Sequence, residues 1–240
     1  AQAVLDLLKK KGVRIMESTE VESVRDMDDV ALVSVSQNGR QEILRADAVL
    51  VATGRRPNIE GLNLDKAGVD LTDRGAIKTD EGLRTTASHI WAMGDVVGGL
   101  QFTYISLDDS RIVKSQVLGE GERTTQNRGE VPYSIFVDPP FSRVGLTEKQ
   151  ALEAGYTIKK SVLPAQAIPK ALVIGRPEGL LKAIIDEETG KILGAHLFCA
   201  ESQEMINIIK MVMDANLPYT VLRDGIFTHP TMSEALNDLF

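Results

Sequence analysis

The chain has 240 residues, 43% apolar and 25% charged, a composition that fits a globular protein of one large or two modest domains. Its formal net charge of −7, from 27 basic and 34 acidic residues, argues against a nucleic-acid-binding surface and against a polybasic membrane patch. The longest apolar runs, such as residues 48–52, are strand-sized and far short of a membrane span.

The chain opens without a methionine or a signal-peptide pattern, and reads as the middle of a domain with an upstream part missing. Residues 2–11 place Val4, Leu5, Leu7 and Leu8 at helical spacing, with lysines in the last turn and Gly12 as a stop. Strands are expected at residues 14–17, 20–25 and 30–36, and Asn38-Gly39 is a hairpin turn before residues 41–44. Residues 48–52 form a continuous apolar run, which predicts a strand buried on both faces. Residues 53–88 read as connecting structure, and residues 89–93 as a second short buried strand. A helix is expected at residues 102–118.

The polar stretch 119–128 is the best domain boundary. Beyond it, strands are expected at residues 133–137, 143–146, 158–163, 180–186 and 192–198, with helices at 147–154 and 202–215. Residues 187–190 form a hairpin turn. This order predicts an α+β domain built on an antiparallel sheet. The stripe Met205, Ile206, Ile209 and Val212 has helical spacing and reads as core or dimer interface.

Three motifs carry candidate chemistry. The run Ala52-Thr-Gly-Arg-Arg-Pro-Asn58 puts a glycine and an arginine straight after an apolar run; the glycine permits close ligand approach, and the arginine can meet a phosphate or ribose. The plainer alternative is a tight turn. In Ile90-Trp-Ala-Met-Gly-Asp95 a carboxylate stands at a strand end, where ligands bind in open α/β folds. Asp can accept hydrogen bonds from sugar-like hydroxyls, or can merely cap a turn. In Thr228-His-Pro-Thr-Met-Ser-Glu234, the His precedes a proline, so its backbone is extended or the peptide is cis. Glu234 lies within reach of the ring, and a carboxylate behind an imidazole fixes its tautomer and makes a usable general base. The alternative is a structural histidine near a helix start, with Thr231 or Ser233 as cap. The lone cysteine, Cys199, excludes an in-chain redox disulfide, fits a reducing cytoplasm and reads as a small buried hydrophobe. His196 reads as structural and His89 as a surface residue. No metal-ligand set is expected.

ATGRRPN, then WAMGDV, then a C-terminal HPTMSEAL, in that order and spacing, resemble the pyridine nucleotide-disulfide oxidoreductases across essentially the whole chain. The resemblance implies an α/β plus α+β chain: remnants of FAD- and NAD(P)-binding Rossmann-like domains followed by an α+β dimerisation domain. Residues 1–52 correspond to the end of the NAD(P)-binding domain, 53–120 to the end of the FAD-binding domain and 121–240 to the interface domain. It implies FAD and NAD(P)H as cofactors and a homodimer acting on a small-molecule or disulfide substrate. Gly54 and Arg55 match the turn back into the flavin domain. Asp95 matches the aspartate that bonds the ribityl chain, with Gly94 permitting its approach. Thr103 matches the residue beside the flavin ring, flanked by Gln101 and Phe102. His229 matches the acid/base, oriented by Glu234 and serving the redox cysteines of the partner subunit.

The glycine-rich nucleotide fingerprints and the CxxxxC pair are absent, so the chain alone also reads as a dimerisation fragment without FAD or turnover. HPTMSEA is similar to dihydrolipoamide dehydrogenase, since Ala235 stands where glutathione reductases carry a second Glu. Mercuric reductases end in a cysteine pair, and this chain ends Asp238-Leu-Phe240. Residues 101–113 resemble a bacterial subgroup linked to reactive-chlorine resistance and copper or hypothiocyanite reduction.

Overall fold

The computed structural model describes residues 2–119 and 121–240, and the chain divides into two units, Ala1–Asn58 and Ile59–Phe240. In the first unit, helix α1 (Gln2–Lys10) ends where Gly12 takes φ 86°, a left-handed stop that glycine adopts without steric cost. Strands β1 (Thr19–Met27), β2 (Val30–Gln37) and β3 (Arg40–Ala46) form an antiparallel sheet in that order. The β2–β3 turn has positive φ at both Asn38 and Gly39, which suits the right-handed twist of a hairpin and is why Asn-Gly stands there.

Two expected strands are corrected here. Residues 14–17 run through irregular backbone into a turn. Residues 48–52 are irregular too, with Leu50 89% and Val51 74% exposed. A strand exists only where neighbouring backbone groups complete its hydrogen bonds. Among the described residues none pairs with this run. The apolar pattern reported a demand for burial, not a partner.

In the second unit, residues 59–93 hold only isolated bridges. A small cluster of Val69, Ile77 and Ala92, packed by Ile59, Leu64, Ile90 and Val96, is its core. The expected strand at 89–93 reduces to one bridge, between Trp91 and Arg84. Isolated bridges (Leu71–Ile77, Thr79–Thr85, Arg84–Trp91) and backbone bonds such as Ile77 N–H to the Val96 carbonyl link the segment, and side chains add to them. Asp80 accepts from the Gly82 and Arg84 N–H groups, both at 2.9 Å, and Thr85 donates to the Ala87 or Ile90 carbonyl. The segment ends in a 3-10 turn, Gly94–Val97, and helix α2 (Thr103–Leu118).

The remaining chain gives β4 (Tyr133–Ile135), β5 (Phe141–Gly145), α3 (Glu148–Glu153), β6 (Ile158–Pro164), α4 (Pro169–Val173), β7 (Leu180–Asp186), β8 (Ile192–Phe198), α5 (Ser202–Asp214), α6 (Thr220–Arg223) and α7 (Ala235–Leu239). The five strands are antiparallel in the order β4-β5-β8-β7-β6, the expected α+β arrangement. Thr147 and Gln150 form a capping box at the start of α3. Alternate residues of β7 and β8 (Leu181, Ala183, Ala195, Leu197) share one core with Met205, Ile206, Ile209 and Val212 of α5. The α5 stripe is therefore core. Leu236 and Leu239 of α7 close the same core, which fixes the last helix in place. Among the described residues, no helix is long and apolar enough to cross a membrane.

Candidate functional site

In the first unit, Gly54 takes φ 122° and Arg55 follows it in exposed, irregular backbone. In the second unit the candidates form two groups. The first surrounds the Gly94–Asp95 turn. Gly94 is buried at φ 75°, and a Cβ there would meet the Ser106 hydroxyl at 2.8 Å. Only glycine fits both demands. Asp95 is exposed one residue on, and its carbonyl accepts from the Gly98 N–H at 3.2 Å.

Helix α2 starts close by in sequence. Phe102 is its extended N-cap, without a side-chain cap, and Thr103 is exposed at its first position. The uncapped end leaves partial positive charge at the start of a 16-residue helix. The Phe102 ring stacks on Tyr104 at 5.1 Å and on Tyr133 at 5.8 Å, and Gln101 is half-buried beside it. Phe102 thus ties α2 to β4 as well as flanking Thr103.

The sequence reading missed what holds this turn. Asp109, only 3% exposed, accepts the Gly94 N–H at 2.9 Å and pairs with Arg128 at 2.7 Å. Asp108 pairs with Arg123 and lies 3.5 Å from Arg128. Segment 121–129 is therefore clamped to α2, and α2 to the turn. A signal was present: Ile105, Asp108, Asp109 and Ile112 fall at i, i+3, i+4 and i+7, so both acids lie on the buried face. Buried carboxylates demand partners, and the arginines of 121–129 are the next basic residues after Lys114.

The second group is His229 with Glu234. The His229–Pro230 peptide is cis. The His229 Nδ1 lies 2.8 Å from Glu234 Oε2. A carboxylate can only accept, so Nδ1 carries the proton and Nε2 is left as the basic atom. The His229 side chain is 69% exposed while that of Glu234 is 16% exposed. The carboxylate is thus set in the protein and the imidazole is presented outward. Thr231 steadies the turn, donating to the Thr228 carbonyl at 2.8 Å and accepting the Glu234 N–H at 3.3 Å.

The other nucleophilic or titratable candidates are structural. Burial pushes the Cys199 thiol up to about 12, with Glu201 adding to the shift, so it stays protonated and inert. His196 bonds the Leu146 carbonyl at 3.2 Å and stacks on Phe141, and burial lowers its pKa. His89 is exposed.

Residues 131–240 match the family model "Pyridine nucleotide-disulphide oxidoreductase, dimerisation domain", and residues 1–110 match "Pyridine nucleotide-disulphide oxidoreductase". The chain is 52% identical over 240 residues to the probable pyridine nucleotide-disulfide oxidoreductase RclA of Escherichia coli, covering 100% of this chain and 54% of RclA. It is 38% identical over 232 residues to dihydrolipoyl dehydrogenase of Mycobacterium tuberculosis, covering 97% of this chain and 50% of that protein. A solved structure described as the HOCl-induced flavoprotein disulfide reductase RclA from Escherichia coli superposes with a TM-score of 0.93 at 52% identity, covering 99% of this chain and 54% of that one. The chain spans about half the length of the curated relatives it matches. With both family models in chain order over its two parts, the chain belongs to the pyridine nucleotide-disulphide oxidoreductase family.

Proposed function

We propose that this chain forms the acid/base-bearing part of a FAD-dependent NAD(P)H oxidoreductase. The enzyme, a homodimer, passes electrons from nicotinamide through flavin to a redox-active cysteine pair, and on to a disulfide or other small-molecule acceptor. Residues 1–52 belong to its NAD(P)-binding domain, 53–120 to its FAD-binding domain and 121–240 to its interface domain. The observation that carries this reading is the 2.8 Å contact of His229 Nδ1 with Glu234, which leaves Nε2 presented outward.

The residues present fit FAD. Gly94 admits close approach, Asp95 offers a carboxylate to ribityl hydroxyls, and the uncapped α2 start faces no anion of its own chain's first turn. Gly54 and Arg55 serve the turn leading into the flavin domain, and Gln101, Phe102 and Thr103 flank the ring. When bound, FAD supplies two-electron transfer between nicotinamide and the cysteine pair.

The chain's own contribution is proton handling. His229 Nε2 accepts a thiol proton from the partner subunit's pair, so the sulfur becomes a thiolate, and it returns that proton to the departing product thiol. Glu234 keeps the ring oriented and stabilises the imidazolium. Cys199 is buried and is the one cysteine of the chain, so these residues alone do not turn over. The 52% identity to a protein described as an HOCl-induced flavoprotein disulfide reductase supports placement in the reactive-chlorine-linked subgroup.

The test is His229→Ala in the flavin-loaded holoenzyme carrying these residues. The thiol-dependent half-reaction slows by about 10²-fold or more, while flavin reduction by nicotinamide stays near normal. Equal loss in both half-reactions overturns the assignment.

A further inference from the structure

His229 lies in a segment with unusual support. Among the described residues, no backbone–backbone hydrogen bond involves residues 225–231, between the end of α6 and the final turn. Backbone groups outside helices and strands must be satisfied by side chains or water, so the side chains that reach this segment decide where the imidazole stands.

Asn237 ties the start of this segment to the end of α6. Its amide nitrogen lies 2.8 Å from the Leu222 carbonyl, 3.0 Å from that of Arg223 and 2.8 Å from that of Gly225. Two N–H bonds are thus shared among three acceptors. The first two carbonyls belong to the last turn of α6, which a helix leaves without internal partners. The third starts the segment that runs to His229. Asn237 stands on α7, which Leu236 and Leu239, both 0% exposed, anchor in the core. Its own N–H bonds the Glu234 carbonyl at 3.0 Å. One anchored helix therefore grips the segment at two points: Asn237 holds its start, and Glu234 holds the His229 ring. Phe227 packs on the same core between them.

We infer that Asn237 is a positioning residue for His229, acting through the segment 224–229 to hold the imidazole against Glu234. This rests on the acid/base reading of His229. Tethers of this kind matter for rate because displacement of a reacting group by about 1 Å can cost about 10²-fold.

The experiment measures both half-reactions of the flavin-loaded holoenzyme in Asn237→Ala, Asn237→Asp, His229→Ala and the double variant Asn237→Ala/His229→Ala. Asn237→Asp preserves shape but sets a carboxylate against three carbonyls, so it tests the donor itself. Both Asn237 variants slow the thiol-dependent half-reaction by about 10-fold or more and leave nicotinamide-driven flavin reduction unchanged. The downfield proton signal of His229 Nδ1–H, sheltered by Glu234 in the parent, broadens into solvent exchange in both. In the His229→Ala background, Asn237→Ala adds nothing. A normal thiol-dependent rate in both Asn237 variants overturns the inference while leaving the acid/base reading intact. So does the same slowing with and without His229, which marks a general structural role. A normal rate in His229→Ala overturns the acid/base reading itself, and the inference with it.

Discussion

Residues 59–119 and residues 131–240 belong to one unit yet are held together by different physics. The later region closes a continuous apolar core, from Val144 on β5 to Phe240 at the chain end, with β7, β8, α5 and α7 all contributing. The earlier one has only the small buried cluster of Val69, Ile77 and Ala92, and adds to its backbone bridges side-chain hydrogen bonds and the Asp108–Asp109–Arg123–Arg128 network. The dense core fixes α7, and with it Glu234 and Asn237. On the proposed function the turn at Gly94 receives the flavin on its solvent side, and Asp109 holds that turn from behind.

The sharpest way to break this comparison is to remove the polar support. Asp109→Ala leaves Arg128 without its 2.7 Å partner and the Gly94 N–H without an acceptor. Breaking one side of a buried ion pair costs about 3–5 kcal/mol. Trp91 is the one tryptophan of the chain and lies in the earlier region, so its fluorescence reports that region in a urea titration. The transition should shift to lower urea; an unchanged midpoint would mean that packing alone holds this region.

Truncating cores comes next. Leu197→Ala, at a 0% exposed site, should lose about 2–5 kcal/mol by circular dichroism melting. Ile77→Ala in the small cluster, 6% exposed and with fewer neighbours to leave a cavity, should lose only about 2 kcal/mol. Equal losses would erase the distinction between the regions.

The smallest effect is a pH-dependent one on the outer face of the later sheet. Hydrogen bonds from Lys182 and then Lys160 hold the Glu148 carboxyl down at about 2. Because the folded value lies below the ordinary 4.5, the stabilisation is present above 4.5 and is lost as pH falls towards about 2. The difference in melting temperature between the parent and Glu148→Gln should therefore be small, constant above pH 4.5, and vanish towards about pH 2. A difference that persists at the acid end would assign it to packing.

Parts of the chain differ in how far the sequence reveals them. Strands β7 and β8 are readable to the residue, because two apolar runs flank the polar turn at residues 187–190. The α5 stripe is readable from its helical spacing. Residues 48–52 and 89–93 carry apolar runs that suggest strands yet form none, because an apolar run states that burial is wanted and not which backbone will pair with it. The pairing of His229 with Glu234 was legible from spacing and the intervening proline. Asp109 was hidden among the charged residues of an ordinary helix, although its periodicity placed it inward. Asn237 left no pattern at all, since its three acceptors are backbone carbonyls, which every residue carries.

The central claim is that His229 and Glu234 act as one proton-transferring pair. Glu234→Gln tests it most directly, because it keeps shape and packing and removes only the charge behind the ring. In the flavin-loaded holoenzyme, stopped-flow should show the thiol-dependent half-reaction slowed by about 10²-fold and flavin reduction by nicotinamide at the parent rate. A Glu234→Gln enzyme with both half-reactions at parent rates would contradict the account.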